Sequence, residues 1–158
     1  SRYQNGLQKL TLAPCSIEDL LAQAQDRFAA TAAEKGIELL VEVQGPLPRL
    51  QADQAQLDRV LDNLIDNAMR HTAADGQIRL QARRHGERVI ISVEDNGEGI
   101  AYGQQGRIFE PFVQVGRKKG GAGLGLALCK EIVQLHGGRM GVYSRPGQGT
   151  QFYMALAV

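Results

Sequence analysis

Residues 63–72 read NLIDNAMRHT and close a segment in which apolar side chains recur at helical spacing. The apolar positions are Leu57, Val60, Leu61, Leu64, Ile65 and Ala68. They predict a helix that begins at Asp53, with Gln56 completing a capping box, and that buries one face. The neighbouring face carries Asn63, Asn67, Arg70 and His71. Buried amides are costly without partners, so this face indicates a polar site or, taken alone, a solvated flank with two incidental asparagines.

The rest of the chain alternates between helical and strand patterns. Ser16 and Asp19 are typical of a helix start, and Gly36 ends that helical pattern. A further helix is predicted from about Gly123 to His136. The predicted strands cover residues 7–12, 37–43, 77–84, 88–94, 139–144 and 150–156. This order predicts an α/β (α+β) two-layer sandwich, in which a mixed, mostly antiparallel sheet packs against three helices.

The composition is that of a globular protein of about one domain. The 158 residues are 43% hydrophobic and 22% charged, and the net charge of +1 gives no support for nucleic-acid or membrane binding. Cys15 and Cys129 lie in no metal-ligand spacing and are expected to be reduced thiols. No apolar run reaches the roughly 18 residues of a membrane span. The chain starts at Ser1 rather than Met, so we expect a fragment of a longer protein.

A predicted strand runs into VEDNGEGI, residues 93–100. Asp95 follows this strand and begins a turn in which Gly97 and Gly99 permit a tight backbone bend with positive φ. The glycines would let a flat ligand approach the backbone, while Asp95 accepts a hydrogen bond from an exocyclic amine of that ligand. An ordinary acidic turn is the alternative. A calcium loop of the common kind is disfavoured, because it needs more carboxylates at fixed spacing.

A glycine-rich string, GGAGLGLALCKEIV at residues 120–133, opens the last predicted helix. Free N–H groups and the helix dipole make such a start favourable for an anion. The string lacks the Gly-Lys-Ser/Thr ending of a P-loop. It also lacks the strand that directly precedes the glycine-rich turn in a dinucleotide-binding fold. Arg117, Lys118 and Lys119 come just before it, either as counter-charges on a lid or as a solvated basic loop.

Four stretches in this order resemble the sequence boxes of a known family. NLIDNAMRHT, DNGEGI, RIFEPF (residues 107–112) and GGAGLGLAL resemble the N box, first glycine box, F box and second glycine box. These boxes belong to the catalytic ATP-binding domain of bacterial sensor histidine kinases, in the GHKL superfamily. The resemblance covers residues 16–158 and implies a Bergerat-type ATP-binding fold. It implies that residues 1–14 are a lead-in from the dimerisation and phosphoacceptor helices and residues 15–158 the catalytic domain.

The resemblance assigns one end of the site to adenine. Asp95 is expected to bind the adenine amine, with Gly97 and Gly99 shaping the pocket floor and His71 packing near the nucleotide. The other residues expected around the base are Ala68, Ile100, Leu126 and Thr150. In the F box, Phe109 and Phe112 are expected to hold one end of the lid, as packing residues rather than ligand contacts.

The resemblance assigns the other end to Mg²⁺ and phosphate. Asn67 is expected to bind Mg²⁺ through its side-chain oxygen, which suits an ion that keeps waters and takes further oxygens from a triphosphate. Asn63 is expected to support the metal and phosphate site, and Arg70 to reach a phosphate, which makes these three the expected catalytic residues. The remaining expected nucleotide contacts are Lys118, Lys119, Gly121, Gly123, Leu124 and Gly125.

Asn63 also bears on the reaction. ATP-hydrolysing members of the superfamily usually carry Glu at this place, whereas an amide cannot take a proton from water, so hydrolysis should be slow. The three histidines are His71, His85 and His136, and none lies in the helical His-Glu/Asp context of the family's phosphoacceptor. Relatives usually carry an acidic, helix-forming stretch where this chain has Gly103 and Gly106, which predicts a weak helix before the F box.

These features predict the catalytic domain of a two-component sensor histidine kinase. It would bind Mg²⁺-ATP and donate the γ-phosphoryl group to a histidine on its own dimerisation domain, which is not in the chain. A response regulator is the expected downstream partner, and no nucleic acid is expected. The isolated domain is expected to be monomeric and cytoplasmic, and its parent a homodimeric inner-membrane sensor. Two alternatives stay open: an anti-sigma-type serine kinase with the same boxes, and a nucleotide-binding regulatory module without phosphotransfer.

Overall fold

The computed structural model describes residues 9–110 and 125–158, and within these ranges it contains helices on one sheet and a small separate ribbon. The helices are α1 (Ile17–Lys35), α2 (Gln54–His71) and α3 (Gly125–Leu135), with a short 3₁₀ helix at Tyr102–Arg107. The strands are β1 (Ala13–Cys15), β2 (Glu38–Gln44), β3 (Leu50–Ala52), β4 (Gln77–His85), β5 (Arg88–Asp95), β6 (Arg139–Arg145) and β7 (Gly149–Ala157).

The main sheet has five strands in the order β2-β4-β5-β7-β6. Strands β2 and β4 are parallel, and the pairs β4–β5, β5–β7 and β7–β6 are antiparallel. The predicted mixed, mostly antiparallel sheet with three helices is therefore confirmed. The fold is an α/β sandwich, and the described strands form an open sheet rather than a closed barrel.

Strand β5 shows how the sheet positions a polar side chain against the helical layer. Val89, Ile91 and Val93 are each at most 1% exposed, and they alternate with residues that point to the open face. Because side chains alternate between the two faces of a strand, Asp95 falls on the same face as these three residues. Asp95 is therefore a carboxylate at the end of a row of buried apolar side chains.

Helix α2 has the predicted start and the predicted buried stripe. The Asp53 side chain accepts a hydrogen bond from the backbone N–H of Gln56 at 3.3 Å. The second half of the predicted capping box is wrong, because the backbone N–H of Asp53 donates to the His136 ring instead of to the Gln56 side chain. Leu57, Val60, Leu61, Leu64, Ile65 and Ala68 are all at most 2% exposed, as the periodicity predicts.

The first helix agrees with prediction and the segment before it does not. Ser16 caps α1 by accepting from the backbone N–H of Asp19, and Gly36 ends it at φ 69°. Residues 10–12 are not a strand, and the strand begins at Ala13. It pairs with β3, which the sequence analysis missed because three residues between a proline-rich turn and a helix carry almost no periodicity.

Candidate functional site

A cleft lies between α2, the end of β5, the start of α3 and β7. Its lining residues are Asn67, His71, Asp95, Gly99, Ile100, Leu126, Thr150 and Phe152. The structure therefore brings together seven residues that the sequence analysis placed in one site, although they come from four separate stretches. Phe152 was not predicted, since its position in β7 is that of an ordinary core residue.

Asp95 is the buried charge of this cleft. It is 6% exposed, and its Oδ1 accepts a hydrogen bond from the backbone N–H of Gly97 at 2.9 Å. Burial raises the pKa of the Asp95 carboxyl above its usual value. The Gly97 hydrogen bond and the nearby His71 ring act on that pKa in the opposite direction. The carboxylate is thus held in place by the backbone and poorly hydrated, which favours a ligand that donates a hydrogen bond to it.

The turn after Asp95 packs too closely for side chains at its glycines. A Cβ at Gly97 would collide with the backbone carbonyl of His71, and one at Gly99 would collide with the backbone carbonyl of Arg145. Gly99 also has φ 74°, a conformation that L side chains rarely adopt. The turn is therefore fixed between the end of α2 and the end of β6.

Two further polar groups hold this end of the cleft, and the sequence analysis gave neither a role. Glu98 Oε1 lies 2.8 Å from Nδ1 of His71. Ser144 Oγ lies 2.8 Å from Thr150 Oγ1, and the backbone N–H of Ile100 donates to the same Oγ at 2.8 Å. The signal for Ser144 is its cross-strand pairing with Thr150, which appears only once the β6–β7 register is known.

The polar face of α2 is more open than the Asp95 end. Asn63 and Asn67 are half-buried, and the Arg70 side chain is 37% exposed, with its Nη2 3.8 Å from Asp66 Oδ2. Only Asn67 of these lines the cleft. Ala68 is 2% exposed in the core and is not among the cleft-lining residues.

Asn63 lies beside the start of α3. A Cβ built on Gly125 would lie 3.4 Å from Asn63 Oδ1, so the helix backbone approaches this amide closely. Burial raises the pKa of the Cys129 thiol to about 12, against a smaller lowering by a hydrogen bond with Asn63. Asn63 therefore joins α2 to α3 in addition to any part it has in the site.

Several predicted residues lie outside the described ranges. They are Phe112, Arg117, Lys118, Lys119, Gly121, Gly123 and Leu124. Phe109 of the F box is described: it is half-buried, and its ring meets Phe152 edge-on at a centroid distance of 6.0 Å. Because Phe152 lines the cleft, Phe109 supports the cleft wall from behind.

Two features are absent from the part of the chain that the structure describes. Across residues 9–110 and 125–158, no three His, Cys, Asp or Glu side chains are grouped so that they could hold a metal ion. In the same ranges, no helix has both the length and the hydropathy needed to cross a membrane.

The comparison with known families shows to which family the chain belongs. The model of the histidine kinase-, DNA gyrase B- and HSP90-like ATPases matches residues 52–158. The chain belongs to this family. It is 65% identical to the alginate biosynthesis sensor protein KinB of Pseudomonas aeruginosa over 158 residues, which are 100% of this chain and 27% of KinB.

Solved structures agree with this family membership. The chain resembles full-length ShkA in complex with AMPPNP, with a TM-score of 0.86 and 41% identity over 94% of this chain and 31% of ShkA. It also resembles the catalytic domain of the histidine kinase ThkA, with a TM-score of 0.85 and 26% identity over 94% of this chain and 96% of that domain. The chain is thus a GHKL-type domain of the kind found in sensor histidine kinases, and it spans about a quarter of KinB.

Proposed function

We propose that the chain binds Mg²⁺-ATP in this cleft and donates the γ-phosphoryl group to a histidine on a separate dimerisation domain. The observation that carries the proposal is Asp95, a carboxylate that is 6% exposed at the end of a partly apolar cleft. Burying a charge costs free energy, so a site that keeps one is expected to use it.

The Asp95 end fits an adenine ring. The flat faces of a purine need apolar walls, and Ile100, Leu126 and Phe152 supply them. The exocyclic amine of adenine is a donor, and Asp95 is an acceptor whose position is fixed by Gly97. Guanine carries a carbonyl oxygen at the corresponding position, so the same carboxylate would repel it.

The α2 face fits the phosphates and Mg²⁺. Asn67 offers a neutral oxygen in the cleft, and Asn63 and Arg70 lie on the same face of the helix. When bound, Mg²⁺ would neutralise charge on the triphosphate and hold its oxygens in place. We assign Asn67 to the metal, Arg70 to a phosphate, and the N–H groups before and at Gly125, with Lys118 or Lys119, to the remaining phosphate oxygens.

In the proposed reaction, the bond between the γ-phosphorus and its bridging oxygen breaks while a bond from phosphorus to an imidazole nitrogen forms. ADP leaves with the bridging oxygen, and the imidazole proton goes to solvent or to a base on the partner domain. Asn63 cannot deprotonate water, so hydrolysis should compete poorly with transfer. None of the chain's own histidines is proposed as the acceptor: His71 lines the cleft, His85 lies in the β4–β5 hairpin, and both ring nitrogens of His136 are hydrogen-bonded.

The relatives support the wider assignment. KinB is named a sensor protein, and ShkA was solved with AMPPNP, an analogue of ATP. We therefore propose a cytoplasmic catalytic domain, monomeric by itself, in a homodimeric inner-membrane sensor that signals to a response regulator. Residues 1–14 are proposed to join this domain to its dimerisation helices. The related proteins are named as sensor proteins and sensory kinases, which does not favour the serine-kinase alternative.

Calorimetric titration with Mg²⁺-ATP tests binding. The wild-type chain should bind, and Asn67→Ala should weaken binding in the presence of Mg²⁺ but much less in the presence of EDTA. Arg59→Ala, an exposed residue near the start of the same helix, is the control. No binding by the wild type at millimolar nucleotide would defeat the proposal. Transfer is tested by mixing the chain with separately made dimerisation helices and labelled ATP, where lasting absence of phosphohistidine would favour a purely regulatory module.

A further inference from the structure

The imidazole of His136 bridges two helices that are distant in the chain. Its Nδ1 lies 2.8 Å from the carbonyl oxygen of Ile132, and its Nε2 lies 3.0 Å from the backbone nitrogen of Asp53, 83 residues away. A carbonyl only accepts and an amide N–H only donates. The two partners therefore assign the neutral tautomer with its hydrogen on Nδ1, in which Nε2 accepts from Asp53.

Asp53 is the point at which three segments meet. Its carboxylate accepts from the backbone N–H of Gln56 at 3.3 Å, which caps α2, and from that of Thr11 at 2.9 Å. Its own N–H is bound by His136. The residue is 9% exposed, so this hydrogen-bonded group is largely shielded from water. A bond from α3 to Asp53 is therefore a bond to the fixed end of α2.

The same antiparallel register is kept at three points along α2 and α3. The first is Asp53 with His136, the second is the 3.7 Å hydrogen bond from Cys129 Sγ to the carbonyl oxygen of Val60, and the third is Asn63 against Gly125. From Asp53 to Val60, and likewise from His136 to Cys129, the chain advances about two helical turns. The contacts thus fix one alignment of α3 along the first half of α2, from Asp53 to Asn63.

This alignment sets the spacing of the phosphate end of the cleft. Helix α2 carries Asn67, and the start of α3 carries the backbone N–H groups that are proposed to meet the phosphates. A slip of one residue between the helices would move one set of donors by about 1.5 Å relative to the other. Displacements of that size are large compared with the tolerance of a hydrogen bond.

We propose that His136 is a positioning residue for nucleotide binding, which fixes the register of α2 and α3 by accepting a hydrogen bond from Asp53. The inference rests on the proposed function. It concerns mainly the phosphate end, because Asp95 and its turn are held by the end of α2 and by β6, whereas α3 contributes Leu126 to the adenine end. Loss of the bridge should therefore weaken the binding of Mg²⁺-ATP more than the binding of adenosine.

A matched pair of variants in the 158-residue chain separates the bridge from the local contact. His136→Asn can place an amide donor near the position of Nδ1, which keeps the bond to Ile132, but it is too short to reach Asp53. His136→Gln can place an amide oxygen near the position of Nε2, which restores the acceptor for Asp53. The control is His85→Asn in the exposed β4–β5 hairpin.

The measurements are calorimetric titration with Mg²⁺-ATP, titration with adenosine followed by NMR, and thermal unfolding without nucleotide. His136→Asn should bind Mg²⁺-ATP about three- to ten-fold more weakly, because binding would then have to realign the two helices at a cost of about one hydrogen bond. It should lose less affinity for adenosine than for Mg²⁺-ATP. His136→Gln should stay within about two-fold of the wild type for both ligands, and His85→Asn should match the wild type.

Three results would overturn the inference. They are unchanged Mg²⁺-ATP affinity in His136→Asn, an equal loss for adenosine and Mg²⁺-ATP, and a His136→Gln variant as weak as His136→Asn. If His136→Asn does not fold, the affinity of His136→Gln decides alone, since a large loss there contradicts the role of the acceptor. Failure of the wild type to bind Mg²⁺-ATP would instead refute the proposed function itself.

Discussion

The two ends of the cleft are built in different ways. At the adenine end, Asp95 is buried and its turn is locked by close backbone contacts at Gly97 and Gly99. At the phosphate end, half-exposed side chains such as Asn67 and Arg70 project from one face of a helix whose neighbouring face is in the core. Changes at the first end should therefore affect folding and binding together, whereas changes at the second should affect binding alone.

The largest effect is expected for Asp95→Asn. Its affinity for Mg²⁺-ATP should fall about 10- to 100-fold, because a hydrogen bond to a charged group contributes roughly 1.5–3 kcal/mol. The Asn oxygen can still accept from Gly97, which leaves the amide's donor group facing the adenine amine. Calorimetric titration measures the loss, and Glu94→Gln, the adjacent residue on the open face of the sheet, is the control.

The same variant should change stability in the opposite direction. Burial raises the pKa of Asp95, which means that its charged form is disfavoured in the folded chain. Removing the charge should raise the melting temperature measured without nucleotide. If Asp95→Asn binds Mg²⁺-ATP as tightly as the wild type, the assignment of Asp95 to the adenine amine is wrong.

Gly97→Ala tests the backbone contact at the adenine end. The added methyl group would collide with the carbonyl of His71, so the free energy of unfolding should fall by about 1–3 kcal/mol. Mg²⁺-ATP binding should weaken at the same time. Gly103→Ala is the matched control, because its added Cβ meets nothing within 4 Å. Equal denaturation midpoints for the two variants would show that a methyl group at residue 97 does not collide with the carbonyl of His71.

The pH dependence of binding follows from the shifted pKa of Asp95. Only the carboxylate accepts from the adenine amine, so affinity should be constant near neutral pH and decline as the pH falls through the folded-state pKa. Because burial raises that pKa, the decline should begin at a higher pH than for an ordinary Asp. Titrations of the wild type and Asp95→Asn at a series of pH values check this, and parallel curves would contradict it.

The smallest effect is expected at the phosphate end, for Arg70→Ala. The side chain is partly exposed and its ion pair with Asp66 is long. The free energy of unfolding should therefore change by less than about 0.5 kcal/mol. Affinity for Mg²⁺-ATP should fall about two- to five-fold, and less at high salt, where exposed charges are screened. Arg59→Ala, an exposed arginine near the start of the same helix, is the control. A large loss of stability would show that this end is not independent of the fold.

Periodicity was enough to predict the elements that frame the site. The apolar stripe of α2 and the alternation in β4 and β5 are long, regular patterns, and both elements have nearly the predicted bounds. The resemblance to sensor kinases then named seven of the residues that line the cleft. What those residues bind stays a prediction.

The missed features depend on contacts between residues far apart in the chain. Strand β3 is too short for its own pattern, and it forms only because β1 pairs with it. Phe152 and Ser144 join the site through the pairing of β7 with β5 and β6. The bond between His136 and Asp53 spans 83 residues, and no local rule would assign a helix-end histidine to a distant N-cap.

The measurement that tests the central claim most directly is a paired titration of the wild-type chain with Mg²⁺-ATP and Mg²⁺-GTP. The two nucleotides share the triphosphate and differ at the group that would meet Asp95. We expect binding of Mg²⁺-ATP and at least about ten-fold weaker binding of Mg²⁺-GTP, since a buried acceptor left facing another acceptor is unpaired. Equal affinity for the two nucleotides, or no binding of either, would contradict it.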